Sequence, residues 1–158
     1  MREASTTDDT AIHALISASF GGRSEADLVE SLRRDGDLTL SLVADDGHAI
    51  VGHIAFSQLK SPEAAVALAP LAVTPSRRRR GIAAALVTEG LRRMTAHGYD
   101  MAFVLGDPAY YGRFGFSAAA AIPYPSPYAG AHHMAVHLTD RRVAAAPVVY
   151  ATAFAALG

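Results

Sequence analysis

Residues Ala64–Val73 read AAVALAPLAV, an almost wholly apolar run, and four arginines and a long amphipathic stretch follow within a few positions. Such a run belongs in a strand covered on both faces, because neither face offers water a polar side chain. Pro70 interrupts it. Proline cannot donate to a ladder, so a bulge or broken pairing is expected there. From Gly81 to His97 the period changes: Ile82, Ala83, Leu86, Val87, Leu91 and Met94 fall on one helical stripe. Gly98 stops that helix, and Asp100–Leu105 is a short buried strand. Strand, glycine-marked turn, long helix and strand form a βαβ unit. The chain is thereby placed in the α/β class.

The flanking segments fit around this unit. Residues 1–6 can form a first strand. Thr7, Asp8 or Asp9 can cap a helix carrying Ile12, Leu15, Ile16 and Phe20, closed by Gly21-Gly22. A second helix follows over about Glu25–Arg34. Leu38–Val43 alternates as a half-buried strand does, Asp45-Asp46-Gly47 is a turn, and Ala49–Gln58 completes a hairpin. From Phe114 onward the pattern is short strands and turns. The apolar tail Val143–Leu157, interrupted by Pro147 and Thr152, reads as a core strand; it falls short of the ~20 residues a membrane span needs.

At 158 residues, 51% hydrophobic and 18% charged, the chain suits one domain, 1–158, with a sizeable core. Net charge is −1, which argues against binding polyanions by bulk electrostatics. There is no cysteine, which removes disulfides, thiolate metal sites and a cysteine nucleophile together. The first residues carry acids and no apolar h-region, so no secretory leader is read. A cytoplasmic protein without membrane contact is expected.

The informative chemistry lies between Leu71 and Phe116. Where a buried strand enters a tight loop and a helix begins, unpaired N–H groups and the helix dipole favour an anion. Together they make a phosphate site. Gly81 and small Ala83 keep the backbone approachable, and Arg77–Arg80 add charge-assisted donors. A solvated basic patch is the plainer alternative. Nucleic acid is a further one, weakened by the lack of interleaved aromatics. Neither G-x-x-x-x-G-K-(S/T) nor G-x-G-x-x-G is present.

Arg78-x-x-Gly81-x-Ala83 after an apolar strand resembles the (Q/R)-x-x-G-x-(G/A) coenzyme A motif of the GCN5-related N-acetyltransferase (GNAT) family. Leu71-Ala-Val73-Thr-Pro75 resembles the strand end before that motif. Tyr111-x-x-x-Gly115-Phe116 resembles the phrase that closes the family's core. Val104–Phe116 and Asp45–Ser57 are similar to the YhbS-like bacterial branch. The likeness covers about residues 1–120. It implies a mixed, splayed six- to seven-stranded sheet with about four helices, acetyl-CoA as co-substrate and an amine as acceptor. It further implies that Leu71, Ala72 and Val73 face the pantetheine arm, and that Arg78, Arg79, Arg80, Gly81, Ile82 and Ala83 wrap the pyrophosphate. Relatives are often dimers, so a homodimer stays open.

Acetyl transfer to an amine needs positioning, oxyanion stabilisation, loss of an ammonium proton and a proton for the departing thiolate. A backbone N–H near Val73 could meet the oxyanion. Tyr111 is the candidate acid, because a phenol is protonated at neutral pH; Tyr110 competes with it. Asp107, which follows the second strand of the βαβ unit, is the candidate base, against the alternative of a helix cap before Pro108. His53 and Glu63 are weaker candidates. His132, His133 and His137 are the sole histidine cluster and lack an acidic partner, so no metal is expected. A coenzyme-binding sensor without catalysis is the alternative function, and the acceptor is either a small molecule or a peptide amine. Loops at 20–36 and 120–133 are expected to shape its pocket.

Overall fold

The computed structural model describes residues 1–157. The βαβ unit sits inside one six-stranded sheet whose spatial order follows the sequence. Its strands are β1 (Arg2–Glu3), β2 (Leu38–Asp45), β3 (Ile50–Gln58), β4 (Ala65–Val73), β5 (Met101–Leu105) and β6 (His133–His137). Neighbours run antiparallel except β4 and β5, which are parallel across the helical crossover. This is the mixed, open sheet implied by the resemblance.

Two irregularities in β4 position everything that follows. Ile54 pairs with Leu71 while Phe56 pairs with Leu68, so Ala55 opposes both Ala69 and Pro70. The bulge expected at the proline is present. On its other side β4 meets β5 at only three positions, Ala65↔Met101, Val66↔Ala102 and Ala67↔Phe103. Beyond them the two strands part.

Helices cover both faces. α1 (Asp9–Phe20) and α2 (Ser24–Asp35) lie on one, α3 (Ile82–Ala96) on the other. Leu86, Val87 and Met94 of α3 are buried against Leu42, Ile54, Phe56 and Val66. A Cβ at Gly90 would run into the Phe56 ring, and one at Gly52 would lie 3.0 Å from both Ile82 and Leu86. Glycine at these two positions lets the helix approach the sheet closely. On the opposite face Ile12, Ile16, Ala26 and Val29 pack against Val43, Ala55 and Ala72. Adjacent residues such as Leu42 and Val43 thus serve different cores, as a period of two requires.

Some expectations need correction. The first strand is two residues long rather than six. Asp8 accepts from the Ser5 N–H (2.8 Å) and pairs with Arg2 (2.7 Å), so the Ser-Thr-Thr-Asp segment turns into a 3-10 helix at Thr6–Asp8. Side chains of this kind compete with sheet pairing. The tail Val143–Leu157 is not a strand. It touches the sheet margin through one bridge, Ser61↔Val149, and ends in a 3-10 helix at Thr152–Leu157. Pro147 removes a donor, and alanine has little preference for strands. The tail still fills core, with Val148 at 5% and Ala151 at 2% exposure. Two further helices, α4 (Pro108–Tyr111) and α5 (Ala118–Ala121), are single turns. No helix among the described residues is long and apolar enough to cross a membrane.

Candidate active site

β4 delivers the chain at Val73 into the arginine loop. Arg79 has φ +63° and Gly81 φ +80°. Left-handed residues set among ordinary ones curl successive N–H groups into a concave, anion-ready surface. The first bond of α3 runs from the Ala85 N–H to the Gly81 carbonyl (3.0 Å). The amides of Ile82, Ala83 and Ala84 therefore stand ahead of the helix. A Cβ on Gly81 would meet nothing within 4 Å, so the glycine answers to its φ rather than to crowding.

The four arginines are not equivalent. Arg77 donates to the Asp46 carboxylate at 2.8 Å and ties the loop to the β2–β3 hairpin. Arg78 Nε donates to the Val73 carbonyl at 3.1 Å. Arg79 and Arg80 are exposed and have no ion pair among the described residues. A cavity of about 290 Å³ lies against the loop, walled by Val73, Arg78, Arg79, Gly81, Ile82 and Ala83. Arg80, Leu71 and Ala72 are not part of its wall. Tyr110 and Arg113 close it from the far side. Arg113 was not anticipated, although it lies within the same Tyr-to-Phe phrase.

Tyr110 and Tyr111 diverge from the single turn of α4, with rings 5.1 Å apart and nearly perpendicular. Tyr110 faces the loop cavity beneath the Arg113 guanidinium, 4.7 Å from its ring centre. Its hydroxyl is buried without a hydrogen-bond partner. Tyr111 turns inward onto Phe116 and Gly106, where a Cβ would strike its ring. Burial, with Tyr110 beside it, pushes the Tyr111 phenol up to about 12. Asp107 caps α4, accepting from the Ala109 N–H at 3.0 Å, and is exposed at the end of β5.

The other candidate bases lie elsewhere. His53 is fully buried in β3, its Nε2 sharing a 2.8 Å hydrogen bond with the Ser41 hydroxyl. Burial, with Arg33 nearby, holds its pKa down at about 4, so it is neutral at physiological pH. Glu63 is exposed in the β3–β4 connection, at the opposite end of β4 from the arginine loop. The histidine cluster does not converge: His137 is exposed, His132 donates to the Gly106 carbonyl, and His133 is buried and stacked on Phe103. The side chains that do gather are His13, Asp27 and Glu30, on the α1–α2 surface.

A second cavity, about 350 Å³, opens where β4 and β5 part. Ala67–Ala69 wall one side and Phe103–Leu105 the other. Glu25 and Tyr128 reach it from the two segments expected to shape an acceptor pocket. Tyr150, Phe154 and Leu157 complete it from the tail. Sequence reasoning missed these three because the tail was read as a core strand. No period in the tail signalled them: Tyr150 precedes the 3-10 helix, while Phe154 and Leu157 lie within it.

Residues 1–119 match the family model for the acetyltransferase (GNAT) domain. The chain belongs to the GNAT acetyltransferase family. Over 117 residues it is 46% identical to the uncharacterized N-acetyltransferase YhbS of Escherichia coli strain K12, spanning 72% of this chain and 70% of that one. The crystal structure of E. coli YhbS in complex with CoA is similar at TM-score 0.90 and 37% identity, over 99% of this chain and 92% of that chain. A GNAT family acetyltransferase from Brucella melitensis, solved in complex with acetyl-CoA, gives TM-score 0.82 at 30% identity, over 97% and 96%. The sequence-based assignment to the GNAT family and its YhbS-like branch therefore holds. GNAT membership makes the chain an acetyl-CoA-dependent acetyltransferase.

Proposed function

We propose that this GNAT protein transfers the acetyl group of acetyl-CoA to a primary amine by direct attack in a ternary complex. The observation that carries the reading is the three-pair β4–β5 ladder. The gap beyond it has an anion-ready loop at one mouth and a separate cavity at the other. A thioester laid in that gap would present its carbonyl to an amine arriving from the opposite side.

The loop suits a pyrophosphate through the amides of Arg79–Ala83, with the Arg78, Arg79 and Arg80 side chains supplying charge. The unpartnered Tyr110 hydroxyl offers one more hydrogen bond at that mouth. Leu71, Ala72 and Val73 would face the pantetheine arm with the backbone of the parted strand. In the reaction the amine nitrogen forms a bond to the acetyl carbon and the carbon–sulfur bond breaks. Asp107, directly or through water, takes the proton the ammonium gives up. Tyr111, held protonated by its burial, supplies the proton to sulfur. The products are an N-acetyl amide and free CoA. We place the protein in the cytoplasm, without a metal or a nucleic-acid or membrane partner, and allow a homodimer.

The test is thermal unfolding with and without acetyl-CoA. A ligand at about 100 times its Kd stabilises by about 2.7 kcal/mol. The wild type should shift upward. Gly81→Glu, which has room for its side chain and pays only for its φ, should fold without shifting. No shift of the wild type with acetyl-CoA or free CoA would sink the assignment of the loop.

A further inference from the structure

The wall of the second cavity carries chemistry that acetyl transfer alone does not require. Tyr128 and Tyr150 meet edge to face with ring centres 5.7 Å apart, and Tyr150 and Phe154 are tilted at 5.2 Å. Three aromatic rings thus stand in series along one side. The Tyr150 hydroxyl lies 3.4 Å from Nε2 of His133, and His133 stacks on Phe103, itself part of the wall. The middle ring is therefore braced against β5 and β6. Glu25, in the first turn of α2, is the one charged side chain of the wall among the described residues.

This arrangement discriminates between kinds of amine. A polyamine or amino sugar brings several ammonium groups, and each beyond the first would lose hydration in the cavity without a carboxylate to face. One carboxylate neutralises one ammonium. An aromatic body loses little on leaving water and gains edge-to-face contacts with the rings. An ammonium close to a ring face gains further attraction. At about 350 Å³ the cavity lies toward the small end of ligand pockets. We infer that the acceptor is a small arylalkyl monoamine, its ring recognised by Tyr128, Tyr150 and Phe154 and its ammonium drawn in by Glu25 before the nitrogen gives up its proton to Asp107, directly or through water. The inference rests on the proposed transfer to an amine.

Initial rates at saturating acetyl-CoA test it, with phenethylamine, spermidine, ethanolamine and a short peptide beginning with phenylalanine as acceptors. Phenethylamine should exceed spermidine and ethanolamine in kcat/KM by about 100-fold, the scale on which an apolar pocket sorts substrates. Glu25→Gln should raise KM for phenethylamine by roughly tenfold. It should leave competitive inhibition by phenethyl alcohol, the uncharged analogue, unchanged. Phe154→Ala should weaken both ligands. Neither variant should alter the melting shift given by acetyl-CoA. Equal or faster turnover of spermidine, ethanolamine or the peptide would overturn the inference. So would equal loss of alcohol and amine binding in Glu25→Gln, which would mark Glu25 as structural. If acetyl-CoA shifts the melting point but phenethylamine is not acetylated, the acceptor class falls and the coenzyme site stands. Without that shift, both fall.

Discussion

Tyr110 and Tyr111 adjoin in sequence, yet their hydroxyls have different surroundings. Tyr111→Phe should lower kcat by about 10²- to 10⁴-fold, the scale of general acid catalysis, with the acetyl-CoA melting shift retained. Tyr110→Phe should instead weaken that shift. Because burial raises the Tyr111 phenol to about 12, its acidic form persists above the ordinary tyrosine value of 10. The wild-type kcat should therefore rise with pH as the amine deprotonates, with no descending limb before about pH 10. His53 titrates in the opposite sense. Its folded pKa of about 4 lies below its ordinary 6.5, so the unfolded chain binds the proton first as pH falls. Its stabilising contribution is complete above about pH 6.5 and is lost on acidification toward pH 4, by on the order of 3 kcal/mol. Urea unfolding of wild type and His53→Gln across that window should show a steeper loss in the wild type. Gly81 and the tyrosine pair were legible because each motif lies within a few consecutive residues. Arg113 was not, since nothing in its neighbours says that α4 turns back toward the loop.

At the scale of elements, the tightest fits are those of α3 on β3 and of β5's end on α4. Alanine at position 90 improves helix propensity by about 1 kcal/mol. Its Cβ, however, meets the Phe56 ring in a filled core, where overpacking costs about 1–3 kcal/mol. The clash should win, and Gly90→Ala should unfold at lower urea than wild type with an unchanged slope. Gly106→Ala pushes on the Tyr111 ring instead. It should depress kcat more than it depresses stability, and a larger loss of stability than of kcat would argue against the role given to Tyr111. Between Leu38 and Leu105, β2 and α3 were readable from periods of two and 3.6 that extend over a full element, and β4 from being apolar almost throughout. The 3-10 turns and the tail have no such period: proline, alanine and short polar side chains direct them locally, and tertiary burial does the rest.

Over the whole molecule, the parting of β4 from β5 brings residues 67–69, 103–105 and 150–157 around one space. No local pattern encodes such a meeting, so the cavity between β4 and β5 was visible in sequence only as two loops expected to shape an acceptor pocket. The coenzyme and the acceptor should therefore leave separate footprints in amide exchange. Acetyl-CoA should slow exchange over residues 79–85, whereas phenethyl alcohol should slow it over 148–157. Protection of the tail by acetyl-CoA alone would mean that the two mouths are not independent. Phe154 walls the cavity proposed for the acceptor and also packs beside Leu28, Leu32 and Ala151, where the tail clamps α2. A lineage that drifts toward a different acceptor through this residue loosens its own fastening as it does so. New preferences in this fold would first appear in temperature-sensitive forms, and would persist only where a second change restores the clamp.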